Sequence, residues 1–393
     1  MKALPEHRDH QRHRLRVAII KIAIILPPRE GFSPSAVGAI GLLVHRLTTP
    51  AEIVIGAPMA GPAFEARNFL PASPVCWPPA GPGRYAAAVA RVLRSVQPDA
   101  IEVHNRPEVA LRLRRRFPGM PITLFLHNDP QGMRRARRPD ERMRLRAGMR
   151  IVCVSGYLRA RFLEGLPIDA GADVLVLPNC IDLAEMPAPV AARDPLILFA
   201  GRLVADKGAD AFVAACAQVL PQLPGWGAAM IGADRFSADS PMTPFLAALR
   251  PAALAAGIRL HGHLPHAALM EAMTRAAIMV VPSRWQEPFG MTALEALATG
   301  TPLIVSPRSG LLDVVGEAAL VAEPDEPGAL AAALRRLAGD PALRAHLSEQ
   351  GRARAALFDV GPARARLAEL RATPGSAILG GATLGGSTLG ARS

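Results

Sequence analysis

Two glutamates flank the point where a buried strand is predicted to lead into a helix. The apolar run at residues 278–281 is typical of a buried strand, and the pattern of Met291–Ala298 is typical of a helix. Glu287 lies on the loop between them and Glu295 lies in the helix, with seven residues between the two carboxylates. Unpaired N–H groups and the positive end of the dipole face outward at a helix N-terminus, so this stretch predicts an anion site.

The ligand of such a site must suit both the N–H groups and the carboxylates. A pyrophosphate can bind the N–H groups near Gly290, Met291 and Thr292. The two glutamates cannot bind the same anion, because like charges repel, but they can accept hydrogen bonds from hydroxyl groups. A pyrophosphate with a polyol on either side is a nucleotide-sugar, and this is the ligand that the stretch predicts.

A second predicted strand end supplies positive charge. The apolar run at residues 196–200 is followed by Arg202 and Lys207, and then by a helix from about Ala209. Arginine offers a bidentate fork and lysine a point charge, and both suit a pyrophosphate leaving group. We therefore assign both residues to diphosphate binding and to catalysis, against the alternative of two solvated cations on a surface loop.

Two further predicted strands end in histidine followed by asparagine. His104 closes the run at residues 100–104, and His127 follows the run at residues 121–126. A lone histidine is more often structural than catalytic. The carboxyl ends of parallel strands share one edge of a sheet, however, and ligands of α/β folds bind at that edge. We assign His127 to the site and expect His104 on the acceptor side.

Three strings of this sequence resemble motifs of one enzyme family. EPFGMTALE at 287–295 resembles the E-x7-E signature of the family 4 glycosyltransferases, which have the two-domain GT-B fold. GRLVADKG at 201–208 resembles that family's G-R-L-x-x-x-K-G. Residues 178–182 resemble its asparagine–glycine–hydrophobic–aspartate turn, with Cys180 at the glycine position, where a left-handed backbone would be strained. Taken alone, the two glutamates would fit a solvated surface helix; the flanking strings favour a site.

The resemblance implies roles in catalysis. Glu287 would contact the donor sugar, Glu295 would contact the ribose, and His127 would help to position the sugar and its leaving phosphate. It also implies retention at the anomeric carbon, with the acceptor hydroxyl attacking on the face that the diphosphate leaves. The leaving phosphate can take the acceptor proton in such a scheme, so we name no protein general base.

Two loops complete the implied donor site. The loop with His261, Gly262 and His263 would hold the base through backbone groups, so its residue types leave the base open between a UDP-sugar and a GDP-sugar. A glycine in the first loop of related enzymes approaches the donor phosphates. Gly31 stands there in this sequence, without the usual paired glycines.

Alternating strands and helices predict an α/β fold with parallel sheets, and the resemblance implies two doubly wound, Rossmann-like domains that face each other across a cleft. The boundary falls in a stretch rich in proline and alanine. We expect a disordered basic arm at 1–16, an acceptor-side domain at 17–182, a linker at 183–195, a nucleotide-sugar domain at 196–357, a closing helix at 358–373 that crosses to the first domain, and a low-complexity tail at 374–393.

Three local predictions depend on pattern alone. Residues 17–26 are expected to form the first buried strand, residues 36–47 a helix, and residues 309–313 a loop.

Composition narrows the function classes. The 393 residues carry a net charge of +12, but their 4% aromatic content supplies few stacking platforms for nucleic acid, and we expect no nucleic-acid partner. Four scattered cysteines and no apolar run near the roughly 18 residues of a membrane span indicate a cytoplasmic protein with free thiols. No two aspartates are separated by one residue, so the D-x-D metal motif is missing and we expect no metal.

Eight arginines crowd the segment from Arg134 to Arg150. Arg142, Arg146 and Arg150 follow one another at four-residue spacing, which predicts one face of a helix. The face is either solvated, as most charge runs are, or a peripheral contact with anionic lipid at the inner face of the plasma membrane.

We expect a hexosyltransferase that uses a nucleotide-diphosphate sugar and a glycan or lipid-linked acceptor, in cell-surface polysaccharide or lipopolysaccharide biosynthesis. A nucleotide-sugar epimerase of GT-B architecture would need acid/base carboxylates in the first domain, and none stands out there. A non-catalytic relative that acts as a binding subunit would not need Arg202, Lys207, Glu287 and Glu295 together.

Overall fold

The computed structural model of the protein describes residues 21–34, 36–59, 61–65, 67–73, 81–190, 192–234 and 242–372. The predicted arm at 1–16, the first four residues of the predicted first strand and the predicted tail at 374–393 lie outside these residues.

The first half of the chain forms a seven-stranded sheet. Its neighbouring strands are all parallel, and they follow the order β5-β4-β1-β6-β7-β8-β9, while β2 and β3 pair with each other as a short antiparallel hairpin. The strands are β1 (Ile22–Ile25), β2 (Phe32–Ser33), β3 (Ala36–Val37), β4 (Ile53–Gly56), β5 (Asn68–Pro71), β6 (Ala100–His104), β7 (Ile122–Leu126), β8 (Arg150–Cys153) and β9 (Val174–Val176).

Helices connect these strands. They are α1 (Ala39–Leu47), α2 (Pro82–Val96), α3 (Pro107–Arg116), α4 (Pro139–Arg146) and α5 (Gly156–Leu163). The first helix begins three residues later than predicted, because Ala36 and Val37 pair with Ser33 and Phe32 in the hairpin.

The second half forms a six-stranded parallel sheet in the order β12-β11-β10-β13-β14-β15. Its strands are β10 (Asp194–Ala200), β11 (Gly227–Ile231), β12 (Ile258–Leu260), β13 (Ala276–Val281), β14 (Leu303–Val305) and β15 (Leu320–Val321). The helices are α6 (Ala209–Val219), α7 (Pro244–Ala255), α8 (His266–Arg275), α9 (Met291–Ala298), α10 (Ser309–Val315), α11 (Ala329–Gly339), α12 (Pro341–Ala356) and α13 (Val360–Ala372).

The prediction of a loop at 309–313 is wrong, because these residues begin α10. Leu311, Val314 and Val315 are buried at the three- and four-residue spacing of one helix face. Packing of that face against the second half stabilises a helix that is too short to be recognised by its sequence period.

The predicted α/β class with two doubly wound parallel sheets is confirmed. In the first sheet the chain runs outward from β1 to β5 and returns at β6 beside β1. In the second it runs outward from β10 to β12 and returns at β13 beside β10. Ligands of open α/β sheets bind beyond the carboxyl ends of the strands at such switch points, so the topology directs attention to the loops after β1, β10 and β13.

The two halves touch in several places. The Ser155 hydroxyl donates to the Pro288 carbonyl at 2.5 Å, and the Tyr157 N–H donates to Asp313 Oδ2 at 3.0 Å. Helix α13 returns to the first half, where Arg371 donates to the Glu102 carboxylate at 2.8 and 2.9 Å. These contacts tie the end of the described chain to the first sheet.

Candidate active site

A cleft of about 370 Å³ opens between the carboxyl ends of the two sheets. Both halves of the chain line it. The predicted site residues that it brings together are His127, Lys207, Glu287, Gly290, Met291 and Thr292.

Lys207 and Glu287 form an ion pair in the cleft wall. Lys207 follows β10 and Glu287 follows the adjacent strand β13, so parallel pairing brings both to one edge of the sheet. Lys207 Nζ donates to Glu287 Oε1, which also accepts a hydrogen bond from Ser283 Oγ at 2.8 Å. Glu287 is only 7% exposed, and a carboxylate so buried needs such partners. The pair fixes the ammonium group at the cleft, where its remaining N–H donors can bind an anion.

Two glycines let the loops around this pair approach each other. Gly208 has φ of +68°, and a Cβ there would lie 1.9 Å from the Pro282 carbonyl oxygen. Gly290 has φ of +95°, and a Cβ there would lie 2.5 Å from Leu311 Cδ2. A side chain at Gly208 would push the Lys207 loop away from the end of β13, and a side chain at Gly290 would be strained by its positive φ and would displace the Leu311 side chain.

Helix α9 begins at the cleft. Gly290 precedes it in the left-handed conformation, and the first N–H groups of the helix, at Met291 and Thr292, have no partner within it. They add the positive end of a helix dipole to the ammonium group of Lys207. This wall of the cleft therefore suits an anion such as a diphosphate.

A second histidine lies behind His127. His104 Nδ1 and His127 Nε2 are 2.9 Å apart and share a hydrogen bond, and the ring centroids lie 5.1 Å apart. Burial lowers the pKa of His127 to about 3 and holds the pKa of His104 well below its ordinary value. Both rings are neutral near pH 7, so the direction of their hydrogen bond decides whether His127 Nδ1 donates or accepts.

We expected His104 on the acceptor side; the structure places it on the first half of the chain beneath His127, where it is only 3% exposed and supports that ring. Asn105 completes the support: its Oδ1 accepts a hydrogen bond from the His127 backbone N–H at 3.1 Å. Asn105 adopts φ of +57°, a region that asparagine tolerates better than most residues. His104 and Asn105, at the end of β6, thus support His127 from behind with two hydrogen bonds.

Two family models match the chain one after the other. The model described as "Glycosyltransferase Family 4" matches residues 12–185, and the model described as "Glycosyl transferases group 1" matches residues 185–354. The chain belongs to the family 4 glycosyltransferases. The predicted family is confirmed, and so is its GT-B fold of two facing sheets.

Known proteins similar to this glycosyltransferase-family chain include the glycogen synthase of Mycobacterium tuberculosis. It is 30% identical over 287 residues, which are 67% of this chain and 64% of that protein, so the match spans just under two thirds of its length. Sucrose-phosphate synthase from Thermosynechococcus elongatus matches with a TM-score of 0.71 at 22% identity, over 90% of this chain and 98% of that one. Anabaena HepE, solved in complex with UDP-glucose, matches with a TM-score of 0.70 at 16% identity, over 90% of this chain and 99% of that one. At these identities the structural matches establish the shared fold.

The second signature glutamate of this family 4 chain is held by a histidine. Glu295 lies on α9, and its Oε1 is 3.0 Å from His266 Nε2 on α8. The hydrogen bond to Glu295 raises the pKa of His266, since it stabilises the protonated ring. Glu295 is 8% exposed and lies outside the lining of the cleft, with one oxygen bound to His266.

The other predicted donor-binding residues stand around the cleft and do not line it. Arg202 is exposed on the loop after β10. The loop of His261, Gly262 and His263 follows β12 and reaches the neighbouring loop through the Gly232 N–H, which donates to the Gly262 carbonyl at 2.7 Å. Gly31 packs its carbonyl oxygen against Gly41, and its neighbour Glu30 lines the cleft instead.

Three polar residues of the cleft were not assigned to the site from the sequence: Glu30, Asn128 and Asn179. Glu30 accepts a hydrogen bond from the Gly41 N–H at 2.8 Å, and burial raises the pKa of its carboxyl group. Asn179 lines the cleft with a buried Oδ1 that has no hydrogen-bond partner among the residues the structure describes. A ligand hydroxyl could donate to that oxygen. Asn179 could have been predicted from the family turn that residues 178–182 resemble. The only sequence feature that pointed to Glu30 was its position on the loop after β1.

The turn at residues 178–182 is formed without backbone strain at Cys180. Cys180, which stands at the glycine position, is buried and does not adopt a positive φ, so the expected strain is absent.

The predicted stripe of Arg142, Arg146 and Arg150 is wrong. Helix α4 ends at Arg146, and Arg150 is on β8, where it donates to the Leu370 carbonyl. Arg142 is 2% exposed and donates to the carbonyls of Phe162 at 2.7 Å and Arg137 at 2.7 Å, while Arg146 pairs with Asp173 at 3.2 Å. Their guanidinium groups donate hydrogen bonds to backbone carbonyls and to a neighbouring aspartate, because a buried guanidinium group requires acceptors.

Among the described residues, none of the helices combines the length and the apolar character that crossing a membrane requires. The same part of the chain contains no group of three histidine, cysteine, aspartate or glutamate side chains that could hold a metal ion.

Proposed function

We propose that this protein is a glycosyltransferase that moves a hexose from a nucleotide-diphosphate sugar to a glycan or glycolipid acceptor. The observation that carries the proposal is the Lys207–Glu287 pair beside the N-terminus of α9, across the cleft from His127. An ammonium group and free helix amides suit a diphosphate, and a buried carboxylate next to them suits the hydroxyls of a sugar.

In this proposal the diphosphate binds to Lys207 and to the N–H groups of Gly290, Met291 and Thr292. Arg202 joins it from the loop after β10 when the donor enters. As the bond to the anomeric carbon breaks, negative charge grows on the leaving diphosphate, and these fixed positive groups stabilise it without rearrangement. They take the part that a metal ion plays elsewhere, so the proposed transfer is metal-independent.

The two signature glutamates bind the polyols on either side of the diphosphate. Glu287 accepts hydrogen bonds from the donor sugar. Glu295 has a second carboxylate oxygen beside the one that contacts His266, and that oxygen accepts from the ribose. Backbone groups of the loop at His261, Gly262 and His263 hold the base, and Gly31 lies near the donor phosphates on the loop after β1.

The proposed reaction retains the anomeric configuration. The acceptor hydroxyl attacks the anomeric carbon on the face that the diphosphate leaves, the glycosidic bond forms as the bond to phosphate breaks, and the leaving phosphate takes the hydroxyl proton. His127 is neutral and positions the sugar and its leaving phosphate. The contacts of Ser155 with Pro288 and of Tyr157 with Asp313 support a closed cleft that keeps water from the donor.

We further propose that the two halves of the chain bind different substrates. Residues 17–182 would bind the acceptor, residues 196–357 the donor, with 183–195 as the linker and 358–373 as the closing segment. The acceptor would belong to a cell-surface polysaccharide or lipopolysaccharide, reached from the inner face of the plasma membrane. The arginines from Arg134 to Arg144 that point outward support a peripheral contact with anionic lipid there.

A thermal-shift screen against UDP-, GDP- and ADP-sugars, each with and without magnesium, tests the proposal. Stabilisation follows occupancy and is about 2.7 kcal/mol at a hundredfold excess over Kd. A shift with one donor, equal with and without magnesium, is expected, followed by release of the nucleoside diphosphate when an acceptor extract is added. No shift with any donor would refute donor binding by the free protein, and a shift that requires magnesium would refute metal independence.

A further inference from the structure

A second concave surface lies on the first half of the chain, away from the cleft. It encloses about 140 Å³ between α3 and the segment that leads into α4. We call it the arginine groove, after the five arginines that line it: Arg112, Arg115, Arg134, Arg135 and Arg144.

The groove holds more positive charge than its own acids neutralise. Its two glutamates are Glu108 and Glu141, and Glu141 Oε2 already accepts hydrogen bonds from the backbone N–H groups of Arg137 at 3.1 Å and Arg138 at 3.4 Å. Arg144 pairs with Asp140 at 3.2 Å. Within the described part of the chain, the guanidinium groups of the other four arginines have neither an ion pair nor a hydrogen bond. Like charges that converge on one concavity repel each other unless an anion binds between them.

The segment that carries Arg134 and Arg135 is preorganised by contacts within the protein. The buried guanidinium group of Arg142 donates to the carbonyls of Ala136 at 3.2 Å and Arg137 at 2.7 Å, and so fixes the chain that follows Arg134 and Arg135. Arg135 is held at φ of +68°, a conformation that residues with a side chain rarely adopt. The groove therefore does not have to fold around its ligand, which lowers the cost of binding.

The chain links the groove to the cleft. Glu108 lies in the first turn of α3, four residues after His104, and Arg134 follows seven residues after His127. The histidine pair at the cleft therefore lies at the ends of β6 and β7, and the chain that follows each of these strands carries arginines of the groove. A ligand that reaches from one to the other would place its reacting hydroxyl at His127 and its charge at the groove.

We propose that the arginine groove binds a phosphate or diphosphate group carried by the acceptor. Guanidinium groups bind phosphate oxygens in pairs, and several of them around one small concavity suit a multiply charged phosphate better than a single carboxylate. The inference rests on the proposed function, since it assigns a chemical class to the acceptor of that transfer. The phosphate belongs either to a lipid headgroup or to a water-soluble phosphorylated glycan.

The experiment uses the full chain, with the nucleoside diphosphate found in the donor screen saturating the cleft, and titrates inorganic pyrophosphate by calorimetry. Two double variants change the groove, Arg112→Gln with Arg115→Gln and Arg134→Gln with Arg135→Gln. The control is Arg250→Gln with Arg336→Gln, which removes the same charge from exposed positions on α7 and α11. Pyrophosphate affinity should fall at least about tenfold in both groove variants and stay unchanged in the control.

Sedimentation with vesicles of phosphatidylcholine, with and without phosphatidylglycerol, identifies the source of the phosphate. Loss of anionic-vesicle binding in the groove variants, together with loss of pyrophosphate binding, assigns the groove to a lipid headgroup. Loss of pyrophosphate binding alone assigns it to a soluble phosphorylated acceptor. Vesicle binding that is lost without any effect on pyrophosphate would mean a diffuse membrane contact and would overturn the groove proposal.

Equal pyrophosphate affinity in the wild type, the groove variants and the control would also overturn it. Unchanged thermal midpoints show that the variants are folded. Nucleoside diphosphate binding at the cleft is measured separately in each variant, so a failure of the groove is distinguishable from a failure of the proposed transfer.

Discussion

The two walls of the cleft differ in charge. The wall from the second half carries an ionised pair, Lys207 and Glu287, beside the N-terminus of α9. The wall from the first half presents His127, whose pKa burial lowers to about 3 and whose partner is a second neutral histidine, together with the carboxyl group of Glu30, whose pKa burial raises. A departing diphosphate gains charge, whereas an attacking hydroxyl has none, so each wall matches the chemistry proposed for it.

The walls also differ in how they hold their side chains. Two glycines position the second wall: Gly208 allows the backbone at Pro282 to approach closely, and Gly290 provides the positive φ that precedes α9. Constraints of this kind can be recognised in the sequence as glycines at fixed positions. Side-chain hydrogen bonds from His104 and Asn105 position the first wall, and these residues come from one strand while His127 follows another. The glycines act on the chain next to them, whereas the hydrogen bonds to His127 form only because the sheet places β6 beside β7.

The largest expected effect tests the charged wall. Glu287→Gln leaves Lys207 without its buried counter-ion and removes the strongest acceptor for the donor sugar, so the transfer rate should fall by about 10²–10³-fold. Initial rates of nucleoside diphosphate release measure it, and Glu349→Gln on the exposed face of α12 serves as the control. Turnover like that of the wild type would remove Glu287 from the mechanism.

The first wall should respond to loss of the support beneath His127. His104→Phe keeps a ring stacked between Phe125 and His127 but cannot hydrogen-bond to His127 Nε2. A slight displacement of a positioning group can cost about 10²-fold in rate, and we expect kcat to fall toward that limit while donor affinity stays unchanged. His346→Phe, at an exposed position, is the control. An equal loss of donor affinity would contradict a purely positioning role.

Lys207→Ala should weaken donor binding. A hydrogen bond to a charged group contributes about 1.5–3 kcal/mol, so the affinity for the nucleoside diphosphate should fall by one to two orders of magnitude. Calorimetry measures the change, and Lys207→Arg, which keeps the charge, should recover part of it. Unchanged affinity in the alanine variant would rule out a phosphate contact for Lys207.

The smallest effect concerns the pH dependence of the His266–Glu295 contact. The pKa of His266 is raised in the folded protein, so its protonated ring stabilises the fold fully below the unfolded pKa of about 6.5. That contribution is lost as the pH rises through the higher folded pKa. Urea unfolding of the wild type and of His266→Gln should therefore differ at pH 6 and converge at alkaline pH. The His266 side chain is 44% exposed, so the difference will be small, and a gap that widened with pH would contradict the assignment.

Local patterns predicted more of the second half of the site than of the first. GRLVADKG and EPFGMTALE each combine a strand end, a glycine with positive φ and a charged residue, and Lys207 and Glu287 were found from them. His127 was found from its place at a strand end, but the sequence did not show that His104 lies buried beneath it as its hydrogen-bond partner. Spacing along a strand shows which face a residue is on and does not show what lies behind it.

The arginine segment was misjudged for a related reason. Arg142, Arg146 and Arg150 follow helical spacing in sequence, yet the helix ends after Arg146 and the first of them is buried against carbonyls of α5. Sequence pattern records charge, whereas burial depends on which acceptors the fold brings within reach. The arginines that form the groove come from α3 and from the approach to α4, and no pattern within one segment joins them.

The sequence by itself determined the α/β class, the family and the charged wall of the cleft, because periodicity, positive-φ glycines and strand-end charges are local properties of the chain. The tertiary structure alone decided the neutral histidine pair, the hydrogen bond between His266 and Glu295, and the convergence of five arginines, four of them without a side-chain partner among the described residues, in the groove. Each of these brings together side chains from separate segments of the chain, and only strand order and helix packing fix their distances.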